Sequence, residues 1–196
     1  MMLLRAQALS HVLLIRPGAT EFDDQGRIKG SLDMPLSDEG HRQAETMVAE
    51  LADVQVKAIY TSPCESARQT AEYLAKDRGA KIRVVDCLGN VDHGLWHGKL
   101  IDEVKRNHPK IYRQGIESPD QVCPPGGESM IQAKARVAKF LRKTVRKNRD
   151  EVIAIIVPDP LALLIHSLLS GEEPQSDLWT SETDAADWQL VEAELN

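Results

Sequence analysis

The chain has 196 residues, of which 42% are hydrophobic, so it can bury the core of one compact domain but has no room for a second. Charges of both signs are interleaved and the formal net charge is −6, which argues against a nucleic-acid-binding protein. No apolar run reaches membrane-spanning length, and the start, MMLLRAQALS, lacks the pattern of a secretory signal. We therefore expect one soluble, cytoplasmic domain over residues 1–196 that binds neither nucleic acid nor membrane.

Short β-rich runs alternate with longer helical patterns, which predicts a sheet with helices on both faces. Strands are predicted over residues 11–16, 57–61, 82–86 and 152–157. The last of these, EVIAIIV, is apolar almost throughout and is expected in the middle of the sheet. The closing ADWQLVEAEL alternates between apolar and polar residues, which indicates an edge strand.

Helices are predicted between and after these strands. The first follows Ser37, a good N-cap residue, and ends near Ala52. Others are predicted over residues 64–76 and 128–147, and from Pro160 to a stop at Gly171. The connection over residues 88–127 is rich in Gly, Pro and His and includes a short helical piece at 101–107. Such a long connection is typical of a lid or binding loop.

The three cysteines, Cys64, Cys87 and Cys123, predict neither a disulfide framework nor a zinc site, because they are odd in number and form no close pair. Asp92, His93, His97 and Asp159 are residue types that bind metals. No compact ligand spacing on a regular element links these four residues, so no metal and no cofactor is expected.

Three segments together carry a family resemblance: LLIRPGATEFDDQGRIKGSLDMPLSDEG, TSPCESARQTA and CLGNVDHGLWHG. They resemble, in order and spacing, the signature of the histidine phosphatase superfamily, which has the phosphoglycerate-mutase-like fold. The resemblance implies a three-layer α/β/α sandwich with a mostly parallel central sheet. It also implies phosphoryl transfer through a phosphohistidine, in a pocket above Arg16 that residues 88–127 would cover.

The two reactive groups of that family are replaced here. Pro17 stands where the family has its nucleophilic histidine, and proline has neither a lone pair for attack nor a backbone N–H for an anion. Asn90 stands where most relatives have the acid, and an amide has no titratable proton to give. The resemblance therefore predicts that covalent catalysis and general-acid help are both lost.

The phosphate-binding groups are replaced as well. Ser66 stands in place of the second arginine, and Arg68 is no substitute because two positions along a helix are a rotation of about 200°. Asp159 stands in place of the second histidine, which reverses the local charge and repels phosphate. Arg16 alone remains, and we predict that it pairs with Asp159.

These changes predict a pseudophosphatase with no catalytic residues, whose former phosphate pocket contains Arg16, Gly18, Thr20 and Asp159. Its fold would serve to bind an unknown protein partner or a small ligand. Two alternatives stay open: an altered phosphomonoester hydrolase that uses Arg16 and an unrecognised nucleophile, and a sensor of a neutral or cationic small ligand.

Overall fold

The fold is built on a five-stranded sheet. The structure is a computed structural model that describes residues 10–76, 78–117, 123–172 and 186–193. Its strands are β1 (Ser10–Ile15), β2 (Ala58–Thr61), β3 (Lys81–Val84), β4 (Val152–Ile156) and β5 (Trp188–Ala193). Their order across the sheet is β3-β2-β4-β1-β5, with β1 to β4 parallel and β5 antiparallel to β1.

The helices connect these strands in chain order. They are α1 (Glu21–Asp24), α2 (Asp38–Glu50), α3 (Glu65–Ala75), α4 (Ile101–Asn107), α5 (Pro109–Glu117), α6 (Met130–Lys147) and α7 (Leu161–Ser170). Two short 3₁₀ turns lie at Asp86–Leu88 and Gly94–Trp96.

Two cores cover the two faces of the sheet. Alternate residues of a strand point to opposite faces, so Ile153 and Ile155 of β4 join one core while Ala154 and Ile156 join the other. The first core packs against α6 and α7, and the second against α2 and α3. This arrangement confirms the predicted three-layer α/β/α sandwich.

Most of the predicted elements are present with small changes of boundary. The EVIAIIV strand lies in the centre of the sheet and the closing strand lies at its edge, as predicted. The third strand ends at Val84 rather than at residue 86, because Asp86 already begins a 3₁₀ turn. The sequence missed α1 and α5. Helix α5 begins at Pro109, whose fixed φ suits a first helical position. The ends of the predicted domain 1–196 lie outside the described residues.

The connection over residues 88–127 has a small core of its own where it is described. Trp96, Val104 and Tyr112 pack there with Ile28. Trp96 is 1% exposed, so it belongs to this core. A role for this region as a lid stays a prediction.

The loop after β1 is fixed against the start of α2 by a close approach of two backbones. A Cβ atom added at Gly18 would overlap the carbonyl oxygen of Gly40, and one added at Gly40 would overlap the carbonyl oxygen of Ala19. The Ala19 amide N–H also donates to Gln43 Oε1 at 2.9 Å. Glycine at positions 18 and 40 therefore sets where this loop lies.

Candidate functional site

The predicted site residues follow the carboxyl ends of neighbouring strands. Arg16 comes directly after β1, and Asp159 comes three residues after β4. Because β1 and β4 are parallel neighbours, their carboxyl ends meet at the same edge of the sheet. Ser66 lies in the first turn of α3, after the adjacent strand β2.

The guanidinium of Arg16 contacts two carboxylates. Its Nε donates to Asp159 Oδ2 at 2.7 Å, so the predicted ion pair is present. Its Nη1 donates to Asp187 Oδ2 at 3.0 Å, a contact that the sequence did not predict. The Arg16 side chain is 10% exposed, whereas those of Asp159 and Asp187 are 25% and 39% exposed. The cation is therefore enclosed by its partners.

Asp187 reaches the site because β5 is antiparallel to β1. Trp188 begins β5 opposite Ile15, which ends β1, so the residue before β5 lies beside the residue after β1. The backbone confirms this, since the Arg16 N–H donates to the Asp187 carbonyl oxygen at 2.9 Å. The sequence indicated the closing edge strand but not that β1 is its neighbour, so it did not place Asp187.

Each backbone N–H of residues 16–20 already has an acceptor within the protein. Arg16 donates to Asp187 as described, and Pro17 has no N–H to donate. Gly18 donates to Thr70 Oγ1 at 3.2 Å, and Ala19 donates to Gln43. Thr20 donates to Asp23 Oδ2 at 2.7 Å. The backbone groups that an anion would use at a strand end are therefore occupied.

Two of the predicted pocket residues have structural tasks. Thr20 is fully buried, and its Oγ1 donates to Asp23 Oδ2 at 2.8 Å, which organises the first turn of α1. Lys29 Nζ contacts the same Asp23 oxygen at 2.6 Å. Gly18 contributes the close backbone approach. The assignment of these residues to a ligand site stays a prediction.

Ser66 and Pro17 contact neighbouring residues of the protein. Ser66 is 3% exposed, and its Oγ lies 3.7 Å from Cys64 Sγ. Arg68 is exposed whereas Ser66 is buried, which agrees with the rotation predicted along the helix. The Pro17 carbonyl oxygen accepts from the Ala186 N–H at 2.9 Å.

Asn90 ties three segments together through its amide nitrogen. Nδ2 donates to the carbonyl oxygen of Gly30 at 3.0 Å and to that of Asp159 at 2.9 Å. A carboxylate at this position would have no hydrogen atom for either contact. The amide oxygen Oδ1 is buried and accepts no hydrogen bond from the described part of the chain.

The residues of the metal-binding types named above make contacts within the protein. His97 Nε2 accepts from the backbone N–H of His93 at 3.0 Å and of Ser31 at 3.2 Å, so its lone pair is used. Asp92 Oδ1 accepts from the Gly94 N–H at 2.8 Å. Within residues 10–76, 78–117, 123–172 and 186–193, no group of three or more His, Cys, Asp or Glu side chains is arranged to hold a metal ion.

His93 is 3% exposed, and burial lowers its pKa from 6.5 to about 4. Its Nδ1 lies 3.0 Å from the Val91 carbonyl oxygen, a hydrogen bond that opposes this shift without overcoming it. The imidazole is therefore neutral at pH 7 in the folded protein.

The family model of the histidine phosphatase superfamily (branch 1) matches residues 12–195, so the chain belongs to this superfamily. It is similar to phosphoserine phosphatase 1 of Hydrogenobacter thermophilus, with 28% identity over 183 residues that cover 93% of this chain and 86% of the relative. The bifunctional protein Rv2228c of Mycobacterium tuberculosis is 30% identical over 145 residues, which cover 74% of this chain and 37% of that protein.

Solved structures show the same fold. Mycobacterial hydrolase 1 superposes with a TM-score of 0.83 at 21% identity, covering 94% of this chain and 91% of that one. Mycobacterial glucosyl-3-phosphoglycerate phosphatase Rv2419c with VO3 superposes with a TM-score of 0.82 at 23% identity, covering 92% of both chains. In the part of this chain that the structure describes, no helix combines the length and the apolar character needed to cross a membrane.

Arg16→Met is expected to lower the free energy of unfolding by about 3 kcal/mol, because two carboxylates would then face each other without their shared cation. Urea unfolding measures this change. Arg42→Met is the matched control, because Arg42 pairs with Glu39 on an exposed helix face and its loss should change little. Equal stability of Arg16→Met and the wild type would contradict a structural role for the ion pair.

The burial of His93 makes stability depend on pH. Between pH 6.5 and 4 the unfolded state takes up a proton at this residue and the folded state does not. The free energy of unfolding is therefore highest above pH 6.5. It falls as the pH is lowered towards 4, by on the order of 3 kcal/mol in total. His93→Asn keeps a donor near Val91 and removes the titration. Between pH 7 and pH 4.5, the free energy of unfolding of the variant should therefore fall less than that of the wild type. Urea unfolding at each pH measures both proteins, and an equal fall in the two would refute the role of His93.

Proposed function

We propose that this chain is a noncatalytic member of its superfamily, a pseudophosphatase whose fold serves to bind a partner protein or a small ligand. One observation supports this most directly: the donors at the end of β1 are already bound within the protein. Arg16 contacts two carboxylates, and the N–H groups of residues 16–20 have internal acceptors. An entering phosphate would have to break these contacts.

The charge of the site also opposes phosphate. Arg16 contributes one positive charge, whereas Asp159 and Asp187 contribute two negative charges. A phosphate oxygen about 4 Å from one carboxylate, at an effective dielectric constant near 20, is repelled by about 4 kcal/mol. A site of this sign disfavours the dianion that the family's reaction begins with.

The residues that would carry out the family's phosphoryl transfer are also replaced. Phosphoryl transfer depends on a positioned nucleophile and on cations that stabilise the transferring group. Pro17 cannot attack phosphorus, and Asn90 cannot protonate a leaving oxygen because its amide has no titratable proton. The Asn90 amide hydrogens are further committed to two carbonyl oxygens. Loss of these parts together removes the main sources of rate enhancement.

The alternative activity is a residual or altered phosphomonoester hydrolysis. Its support is that relatives of this chain, among them phosphoserine phosphatase 1, are named as phosphatases. It would need Arg16 to exchange its carboxylates for substrate, and a nucleophile other than residue 17. Assay of the purified chain distinguishes it from the pseudophosphatase.

A second candidate function is the sensing of a neutral or cationic small ligand. Asp187 adds a carboxylate that the sequence did not predict, and Asn90 Oδ1 is a buried acceptor. Both features favour a ligand that donates hydrogen bonds. Thermal-shift screening with amines in place of phosphate separates this function from a purely protein-binding one.

A cytoplasmic location is part of the proposal, and the free thiols of Cys64, Cys87 and Cys123 support it.

The purified chain is expected to hydrolyse p-nitrophenyl phosphate, sugar phosphates and nucleotides no faster than its Arg16→Ala variant, because nucleophile, acid and phosphate clamps are replaced. Rates that agree between the two proteins report contaminating phosphatase. Each single restoration, Pro17→His or Asn90→Glu, should remain at this background, since the groups act as a unit.

A hydrolysis rate that disappears in Arg16→Ala would overturn the noncatalytic function and establish the altered hydrolase. Mass spectrometry of the wild-type chain after incubation with substrate gives a second readout. A phosphorylated side chain formed during turnover would lead to the same conclusion.

A further inference from the structure

One face of α6 carries a concentrated positive charge. From Ser129 to Arg149 the sequence contains no Asp or Glu and has eight Lys or Arg residues. The rest of the chain therefore has 16 of the 24 basic residues against all 30 acidic ones, a formal net charge of −14. The exposed residues of α6 that form the basic stripe are Lys139, Arg142, Lys143, Arg146 and Lys147.

The spacing of the basic stripe places its five side chains on one side of the helix. Positions i, i+3, i+4, i+7 and i+8 cover an arc of roughly 140° and a length of about 12 Å. The opposite side of α6 is anchored in the core by Val137, Leu141 and Val145, which are buried. The stripe is therefore held on the solvent-facing side of a helix whose position is fixed by the core.

Within the described residues, no ion pair is found for any member of the stripe. Basic residues outside the stripe do have carboxylate partners: Arg136 contacts Glu128 at 2.8 Å, and Lys57 contacts Glu151 at 2.8 Å. Like charges three and four positions apart destabilise a helix. The helix dipole favours cations in the last turn, which accounts for Arg146 and Lys147 but not for the mid-helix Lys139.

We propose that the basic stripe binds an acidic segment of a partner protein. Arginine forks bind carboxylates bidentately, and an extended segment of four or five residues spans the length of the stripe. A nucleic acid or an anionic membrane would extend beyond the stripe by more than the Debye length of about 8 Å, towards the rest of a chain whose formal net charge outside residues 129–149 is −14. A short acidic segment can contact the stripe alone.

The proposal is independent of whether the former phosphate site is catalytic. Helix α6 ends at Lys147, before β4 begins, whereas Asp159 follows the end of β4. The carboxyl-terminal half of the stripe therefore lies towards the end of the sheet opposite the Arg16 ion pairs. Binding at the stripe leaves the strand-end site uncovered.

The test measures fluorescence anisotropy of a labelled octaglutamate peptide titrated with the full chain. The wild type should bind it, with an affinity that falls as salt is raised, because the contacts are charge pairs near the surface. The triple variant Lys139→Gln, Arg142→Gln and Lys143→Gln should bind at least tenfold more weakly. Urea unfolding confirms that the variant is folded.

A matched control removes the same number of positive charges elsewhere. Arg68, Lys81 and Lys110 are exposed and lie outside the stripe. If the position of the charges decides binding, changing all three to Gln should leave the peptide affinity within about twofold of the wild type. Equal losses in the two triple variants would overturn the proposal, because net charge alone would then explain binding. Tighter, stripe-dependent binding to a 20-base-pair DNA duplex or to phosphatidylserine vesicles would overturn the choice of an acidic protein segment.

Discussion

The guanidinium of Arg16, enclosed at the end of β1, is the group on which the rest of the site depends. A cation with little access to water needs anionic partners, and two carboxylates provide them from the strands on either side of β1. Asp159 follows the parallel neighbour β4, and Asp187 precedes the antiparallel neighbour β5. The sheet order therefore brings both carboxylates to Arg16.

Asn90 and Pro17 contact the same segments that enclose Arg16. Asn90 uses its amide to connect the Gly30 loop with the backbone of Asp159, which carries one of the carboxylates. Pro17 accepts from Ala186, next to the residue that supplies the other carboxylate. These contacts therefore form one connected network around Arg16.

Much of this could be predicted from the sequence, because the family resemblance implies which strand ends are adjacent. The Arg16–Asp159 pair followed from the placement of two motifs after parallel strands. Asp187 was missed because its strand was recognised only as an edge, without the neighbour that places it. Helix α5 was missed because it is short and lies in a Gly- and Pro-rich connection, where composition favours a loop. The acceptors Thr70 and Gln43 lie on helices, and their contacts depend on packing that no local pattern encodes.

Isothermal titration calorimetry of the wild-type chain with orthovanadate tests most directly whether the strand-end site is neutralised from within. The account predicts no saturable heat at millimolar vanadate, because the cation and the backbone donors that would hold the anion are occupied. A one-to-one binding curve that is lost in Arg16→Ala would contradict it, since Arg16 would then be available to a phosphate-like ligand.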